Sequence, residues 1–143
     1  MRALLKSLKE KKVKSTVAGI IEKDNKIFLT KRSKILPEGG KWCLPGGHMK
    51  AGEKAEESLK REINEETNLK SKKLKFLFYQ DEIIPRLKIN NIVLVFSVKV
   101  SGKERFNFEV VDSGFFSKKE IEKLNIAFTH KDIIRRFFKH KKS

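Results

Sequence analysis

Residues 47–69 read GHMKAGEKAEESLKREINEETNL, a glycine turn followed by a run crowded with acids. Ala55, Leu59 and Ile63 recur at helical spacing, which predicts a helix over 54–67 with one face packed on a core. Glu62 and Glu66 are four residues apart, about 40° around the axis, and border that apolar stripe. Glu65 lies just outward of Glu62. Glu57, Lys60 and Asn64 take the face predicted to meet solvent. Glu56 and Glu57 read as favourable first-turn charges.

An acid-rich helix is ordinarily a solvated face. Two features set this one apart. Glu65 and Glu66 stand at the helix C-terminal end, where the macrodipole disfavours anions by about 0.3–1 kcal/mol each. Glu62 and Glu66 also repel one another, by about 0.2–0.5 kcal/mol. Lys70, Lys72 and Lys73 offset part of this. A hard divalent cation, which takes carboxylate oxygens and often shares them with substrate phosphates, would reverse both penalties. Gly46-Gly47 lets the backbone come close to a ligand and turn a carbonyl toward it. Glu53, just before the helix, is within reach of Arg61.

The spacing resembles the Nudix box: G, five residues, E, seven residues, R-E, an aliphatic, any residue, E-E, any residue, G, an aliphatic. Gly47, Glu53, Arg61, Glu62, Ile63, Glu65, Glu66 and Leu69 stand in register. The lead-in Trp42-Cys43-Leu44-Pro45-Gly46-Gly47 is similar as well. Asn68 replaces the usual late glycine. Asparagine is the next-best residue for a left-handed helix cap, so the turn is expected to survive.

The resemblance implies a MutT-like hydrolase that cleaves a diphosphate linked to a group X, usually a nucleoside compound, with Mg²⁺ or Mn²⁺. The implied fold is α/β (α+β), an α/β/α sandwich around a central mixed sheet. Carried over by position, Glu62 and Glu66 are the leading metal ligands, Glu65 shares that role, and the Gly46 carbonyl is a further ligand. Arg61 and Glu53 form an orienting pair. The general base is Glu62 in the box or Glu109 on a later loop, since Glu109-x-x-Asp112-x-x-Phe115-Phe116 resembles a late acidic loop entering an aromatic strand. Arg32 (with Lys31), Gly47 and His48 are candidate substrate contacts. Phe78, Tyr79 and Phe106 are candidate base-stacking rings, with a core role as the plainer alternative.

Around the box, residues 16–22 read as a strand and Lys23-Asp24-Asn25 as the turn to a returning strand over 27–30. Residues 31–41 read as a loop and 42–44 as a short strand. A strand is expected over 74–80, a loop around Pro85 over 81–88, and the most β-prone stretch over 89–100. Residues 101–112 read as loop, and Phe115-Phe116 as a short strand end. Ser117-Lys118-Lys119-Glu120 is a capping-box pattern that launches a short helix. Thr129 can cap a last helix to about 139, with Ile133, Ile134, Phe137 and Phe138 on one face. Residues 1–14 form a basic arm or short helix, and 15–143 the domain. His130 and His140 belong to no motif and are expected to be exposed.

At 143 residues, 38% hydrophobic, the chain is long enough for one domain with a real core. Its apolar runs are too short to span a membrane. The single cysteine, Cys43, excludes an intrachain disulfide and is expected to be buried. The absence of a secretory pattern points to the cytoplasm. Net charge is +16, with six Lys/Arg and one acid in each of residues 1–14 and 130–143. Basic ends attract anions, so RNA is an alternative partner to a free nucleotide.

The favoured reaction is (d)NTP to (d)NMP and pyrophosphate. Alternatives are cleavage of ADP-ribose or a similar nucleoside diphosphate sugar, and RNA 5′-end processing. A non-catalytic nucleotide-sensing module fits the intact acidic set least. The expected assembly is a monomer or homodimer.

Overall fold

The computed structural model describes residues 12–141, so most of the basic arm expected over 1–14 lies outside the described residues. The chain runs β1 (Lys14–Ile20), β2 (Glu22–Lys23), β3 (Lys26–Arg32), β4 (Trp42–Cys43), β5 (Gly46–His48), α1 (Ala55–Thr67) and β6 (Lys70–Ile84). A 3₁₀ turn (Pro85–Leu87), β7 (Ile89–Ser101), β8 (Val110–Phe116), α2 (Lys118–Lys123) and α3 (His130–Lys141) follow.

One sheet has the order β5-β1-β7-β6. It is mixed: β1 runs parallel to β7, while β5 and β6 are antiparallel to their neighbours. A second, antiparallel sheet joins β2, β3 and β4, with β8 on the free side of β3. Alternation along β1 and β7 sends side chains to two cores. Ala18, Ile20, Val93 and Val95 meet the second sheet's Ile27 and Leu29 and the helical Ile121, Ile133, Ile134 and Phe138. Val17, Phe96 and Val98 meet Leu59 and Ile63 of α1 on the other face. Helices therefore cover both faces of the mixed sheet, as expected.

Asp24 and Asn25 both adopt positive φ, the hairpin geometry that short polar residues tolerate best. Ser117 and Glu120 form the reciprocal capping box. Asn68 caps α1 in the left-handed region at φ 66°, its N–H bonded to Asn64 O at 2.8 Å. The asparagine thus performs the turn that glycine would.

Four expectations need correction. The strand expected over 74–80 runs over Lys70–Ile84, and the loop expected over 81–88 shrinks to the Pro85–Leu87 turn. Pro85 is compatible with strand to its left, and Asp81–Ile84 pair residue by residue with Ile89–Ile92. The expected 101–112 loop ends early, because Val110–Asp112 already pair with β3. His130 is not exposed; it is 9% accessible at the head of α3. Cys43 is buried as expected, and burial raises its thiol pKa to about 11. No helix among the described residues is long and apolar enough to cross a membrane.

Candidate active site

Helix α1 is pinned by its apolar stripe, and that fixes where its acids point. Leu59 and Ile63 are fully buried against the mixed sheet. Glu62 is half-buried, Glu66 is 7% accessible, and Glu65 is exposed. Lys60, Asn64 and Glu57 face solvent as predicted.

The glycine turn admits these carboxylates. A Cβ on Gly47 would lie 2.6 Å from Glu62 Cδ, so only glycine lets that carboxylate rest on the β5 backbone. A Cβ on Gly46 would lie 2.0 Å from Val17 O. The Gly46 N–H donates to Glu66 Oε1 at 3.0 Å. Gly46 and Gly47 thus sit against the two leading carboxylates of the motif.

Arg61 braces the set. Its Nε and one terminal nitrogen donate to Glu53 at 2.7 and 2.9 Å. The other terminal nitrogen donates to Glu62 at 2.9 Å and to Glu65 at 3.2 Å, while the one bonded to Glu53 also donates to His48 O at 3.3 Å. Glu53 also accepts from Ser58 Oγ at 2.7 Å and from the Lys50 N–H at 3.0 Å. The Arg61 hydrogen bonds, then Ser58, hold the Glu53 carboxyl down at about 2. Arg61, in turn, is held more firmly protonated by Glu53. Glu53 and Arg61 are thus within reach of each other, as expected, and form an ion pair.

The other acids are pushed the opposite way. Burial raises Glu66 well above the usual carboxylate range, and the nearby charges of Glu62 and Glu109 add to it against the Gly46 hydrogen bond. Burial also raises Glu62, with Arg61 opposing. Folding has thus gathered repelling carboxylates on one wall, an arrangement that a cation or proton relieves.

These side chains line one cleft of about 670 Å³, the size of a small-ligand site. Glu62, Glu65, Glu66, Glu109 and Arg61 form one part of its wall, and Arg32, Lys12, Lys14, Lys50 and Lys88 supply cations. Gly46, Gly47 and His48 line it too, with His48 exposed. Arg32 is held by an Nε–H bond to Pro37 O at 2.9 Å, and its guanidinium stacks over the Phe128 ring at 4.9 Å.

Several candidates lie elsewhere. Asp112 is exposed and outside the cleft lining. Lys31 lies over the Trp42 ring. Phe78 packs against the first core beneath Arg136, while Tyr79 and Phe106 are exposed away from the cleft. Conversely, Glu82, Asn91 and His130 line the cleft and were not singled out from the sequence. Glu82 was hidden by the loop expected around Pro85, while Asn91, in the strand expected over 89–100, and His130 carry no spacing signal.

The donor set suits a hard divalent cation: all oxygen, anionic, with Glu66 buried and Glu62 on a glycine. Among the described residues, however, no three acidic, histidine or cysteine side chains already converge on one point. Instead, Arg61 holds Glu62 and Glu65 on its guanidinium.

Comparison with known proteins bears on the fold and the family. The NUDIX domain model matches residues 12–137. The chain is 39% identical over 127 residues to an ADP-ribose pyrophosphatase of Methanocaldococcus jannaschii, spanning 87% of this chain and 73% of that protein. It is 44% identical over 69 residues to an 8-oxo-dGTP diphosphatase of Buchnera aphidicola, spanning 48% of this chain and 52% of that protein. The crystal structure of a MutT NUDIX hydrolase from Burkholderia pseudomallei superposes with a TM-score of 0.71 at 28% identity, covering 76% of this chain and 86% of that one. The matched span takes in both sheets and α1 with its acids, and on that ground this chain belongs to the Nudix hydrolase family.

Proposed function

We propose that this protein hydrolyses the diphosphate linkage of a nucleoside di- or triphosphate derivative, with (d)NTP, yielding (d)NMP and pyrophosphate, as the favoured substrate. The observation that carries the reading is the joint placement of Glu62 on Gly47 and buried Glu66 on Gly46, in a cleft that also holds Arg32 and four lysines. Five cations beside the carboxylates suit a chain of several phosphates.

Nudix hydrolases generally use divalent metal ions. Here Mg²⁺ or Mn²⁺ would be held by Glu62, Glu65 and Glu66 with the Gly46 carbonyl, and would screen the phosphates and lower the pKa of a bound water. The protein's own groups do the rest. The water oxygen bonds to phosphorus as one P–O anhydride bond breaks, and its proton passes to a carboxylate. In this reading Glu62, which lies against Gly47 and accepts from Arg61, is the base, and Glu109, which lines the same cleft, is the alternative. Arg61 and Glu53 are positioning residues. Arg32 and His48, at the rim, meet the substrate.

A second reading, cleavage of ADP-ribose, is favoured by the 39% identity to an ADP-ribose pyrophosphatase over most of the chain. Turnover of (d)NTPs, ADP-ribose and 5′-triphosphorylated RNA, each with Mg²⁺ and with Mn²⁺, separates the readings. The proposal expects (d)NTPs to give the highest kcat/KM and excess chelator to abolish turnover. Undiminished activity in chelator would overturn it.

A further inference from the structure

The cleft has a second polar surface that the hydrolytic chemistry does not use. Glu82, on β6, is 3% accessible and lies opposite Asn91 of β7. Glu82 Oε2 accepts from the Thr129 N–H at 3.1 Å and the Thr129 hydroxyl at 2.6 Å. Its Oε1 accepts from Asn91 Nδ2 at 3.1 Å. Thr129 thus stands just before α3 as expected, but its hydroxyl proton is engaged by Glu82. A carboxylate only accepts, so it fixes which way the Asn91 amide points: nitrogen toward Glu82, oxygen away.

His130 is fixed in the same manner. Its Nδ1 accepts from the Leu44 N–H at 3.0 Å, which leaves the proton of the neutral ring on Nε2. Among the described residues, Asn91 Oδ1 and His130 Nε2 take part in no hydrogen bond. Among the described residues, Ser71 Oγ alone is a fully buried side-chain N or O atom without a hydrogen bond. The Asn91 and His130 atoms are therefore open to the cleft that both residues line. Next to them Phe128 is held at φ 55°, a strained conformation for a bulky residue, with its ring 5.5 Å from that of His130 and the Arg32 guanidinium over it. Leu36, Pro37, Leu87 and Ile89 make the nearby lining apolar.

Asn91 Oδ1, the Asn91 N–H not taken by Glu82 and the His130 Nε2–H, beside an aromatic ring and apolar walls, suit a flat heterocycle with a polar edge. We propose that Asn91, oriented by Glu82, and His130 read the nucleobase, and that they favour a base with a ring carbonyl beside a ring N–H over one with an exocyclic amine. The carbonyl can take donors from both Asn91 and His130, while the ring N–H donates to Asn91 Oδ1. An exocyclic amine would instead face the His130 donor without an acceptor. The inference rests on the proposed hydrolase reading and specifies the substrate's base.

Hypoxanthine and adenine test it, because they share a ring skeleton and invert that edge. The ratio of kcat/KM for ITP over ATP, or for the corresponding diphosphate riboses, should be about ten or more, as expected for one well-placed hydrogen bond. Asn91→Leu should bring the ratio toward one. Glu82→Gln, which can keep the Thr129 bonds while presenting an amide N–H to Asn91, should turn the Asn91 amide over and also erase the preference, although Glu82 never touches the base. A purely structural role would lower both substrates equally and leave the ratio unchanged. Calorimetric binding of IMP and AMP reads the preference without turnover. A wild-type ratio near one in both turnover and binding overturns the inference whatever the variants do. A binding preference without hydrolysis of any nucleotide overturns the hydrolase reading and leaves this one standing.

Discussion

The backbone N–H of Gly46 donates to Glu66 Oε1 at 3.0 Å, across a sequence separation of 20 residues. This bond ties the glycine turn to the last turn of α1 and sets a buried carboxylate facing the cleft. It also explains why the turn and the acids must come as one unit. The glycines have no side chains to block the carboxylates, and α1 has an apolar stripe that presses those carboxylates inward.

Gly47→Ala tests the close approach. The added methyl group would meet the Glu62 carboxylate at 2.6–2.8 Å, and Arg61 restrains that carboxylate from moving aside. We expect kcat to fall about ten-fold or more while the thermal midpoint shifts by only a few degrees, since the clash is with the end of one side chain. Unaltered kcat would show that the position of Glu62 does not matter.

Arg61→Gln and Glu53→Gln test the brace. Each should lower kcat with little change in KM, because neither residue is assigned a contact with substrate. The two residues act through the same hydrogen bonds, so the double variant should be scarcely worse than Arg61→Gln alone. Multiplicative losses in steady-state kinetics would separate their roles.

His130 predicts a response to acid. Burial holds its pKa near 4 against an ordinary 6.5, with Arg32 adding to the shift and Glu82 opposing it. The unfolded chain therefore binds the proton more readily. The stability this confers is full above pH 6.5 and is lost as pH falls toward 4, by at most about 3 kcal/mol. Denaturant unfolding at pH 7.5 and 4.5 should show this drop in the wild type and a smaller one in His130→Gln, whose amide oxygen can still accept from Leu44. Equal drops in both proteins would assign the acid sensitivity to other groups.

The cap of α1 gives a stability test free of catalysis. Asn68 holds φ 66° and its side chain donates to Lys103 O at 3.1 Å. Asn68→Ala should destabilise by about 1–2 kcal/mol through the left-handed strain and the lost bond, and Asn68→Gly by less. Chemical denaturation measures both, and an alanine variant as stable as the glycine one would refute the assignment.

The acidic helix was legible because its information is local. Leu59 and Ile63 fix the inward face by spacing alone, and Glu62, Glu65, Glu66, Arg61 and Glu53 then fall into place. Asn68 was legible for the same reason. Glu82 and His130 were not, because their partners are distant in sequence: Thr129 is 47 residues from Glu82, and Leu44 is 86 from His130. Pro85 and the acids before it imitate a loop, yet they sit at the end of a strand whose pairing with β7 decides their burial. Phe78 takes the core role that was its plainer alternative, and Tyr79 is exposed outside the cleft lining, for a related reason. Strand alternation says that two faces exist, not which one lines a cleft.

The most direct test of the account is turnover of Glu66→Gln beside the wild type, with unfolding followed on both. Glutamine keeps the shape and can still accept from Gly46, but it cannot carry the charge that the proposed metal site requires. The account predicts a loss in kcat of about a thousand-fold or more with the fold intact and its stability equal or higher, since a buried carboxylate has been neutralised. A folded Glu66→Gln protein that turns over nucleotide at the wild-type rate would contradict it.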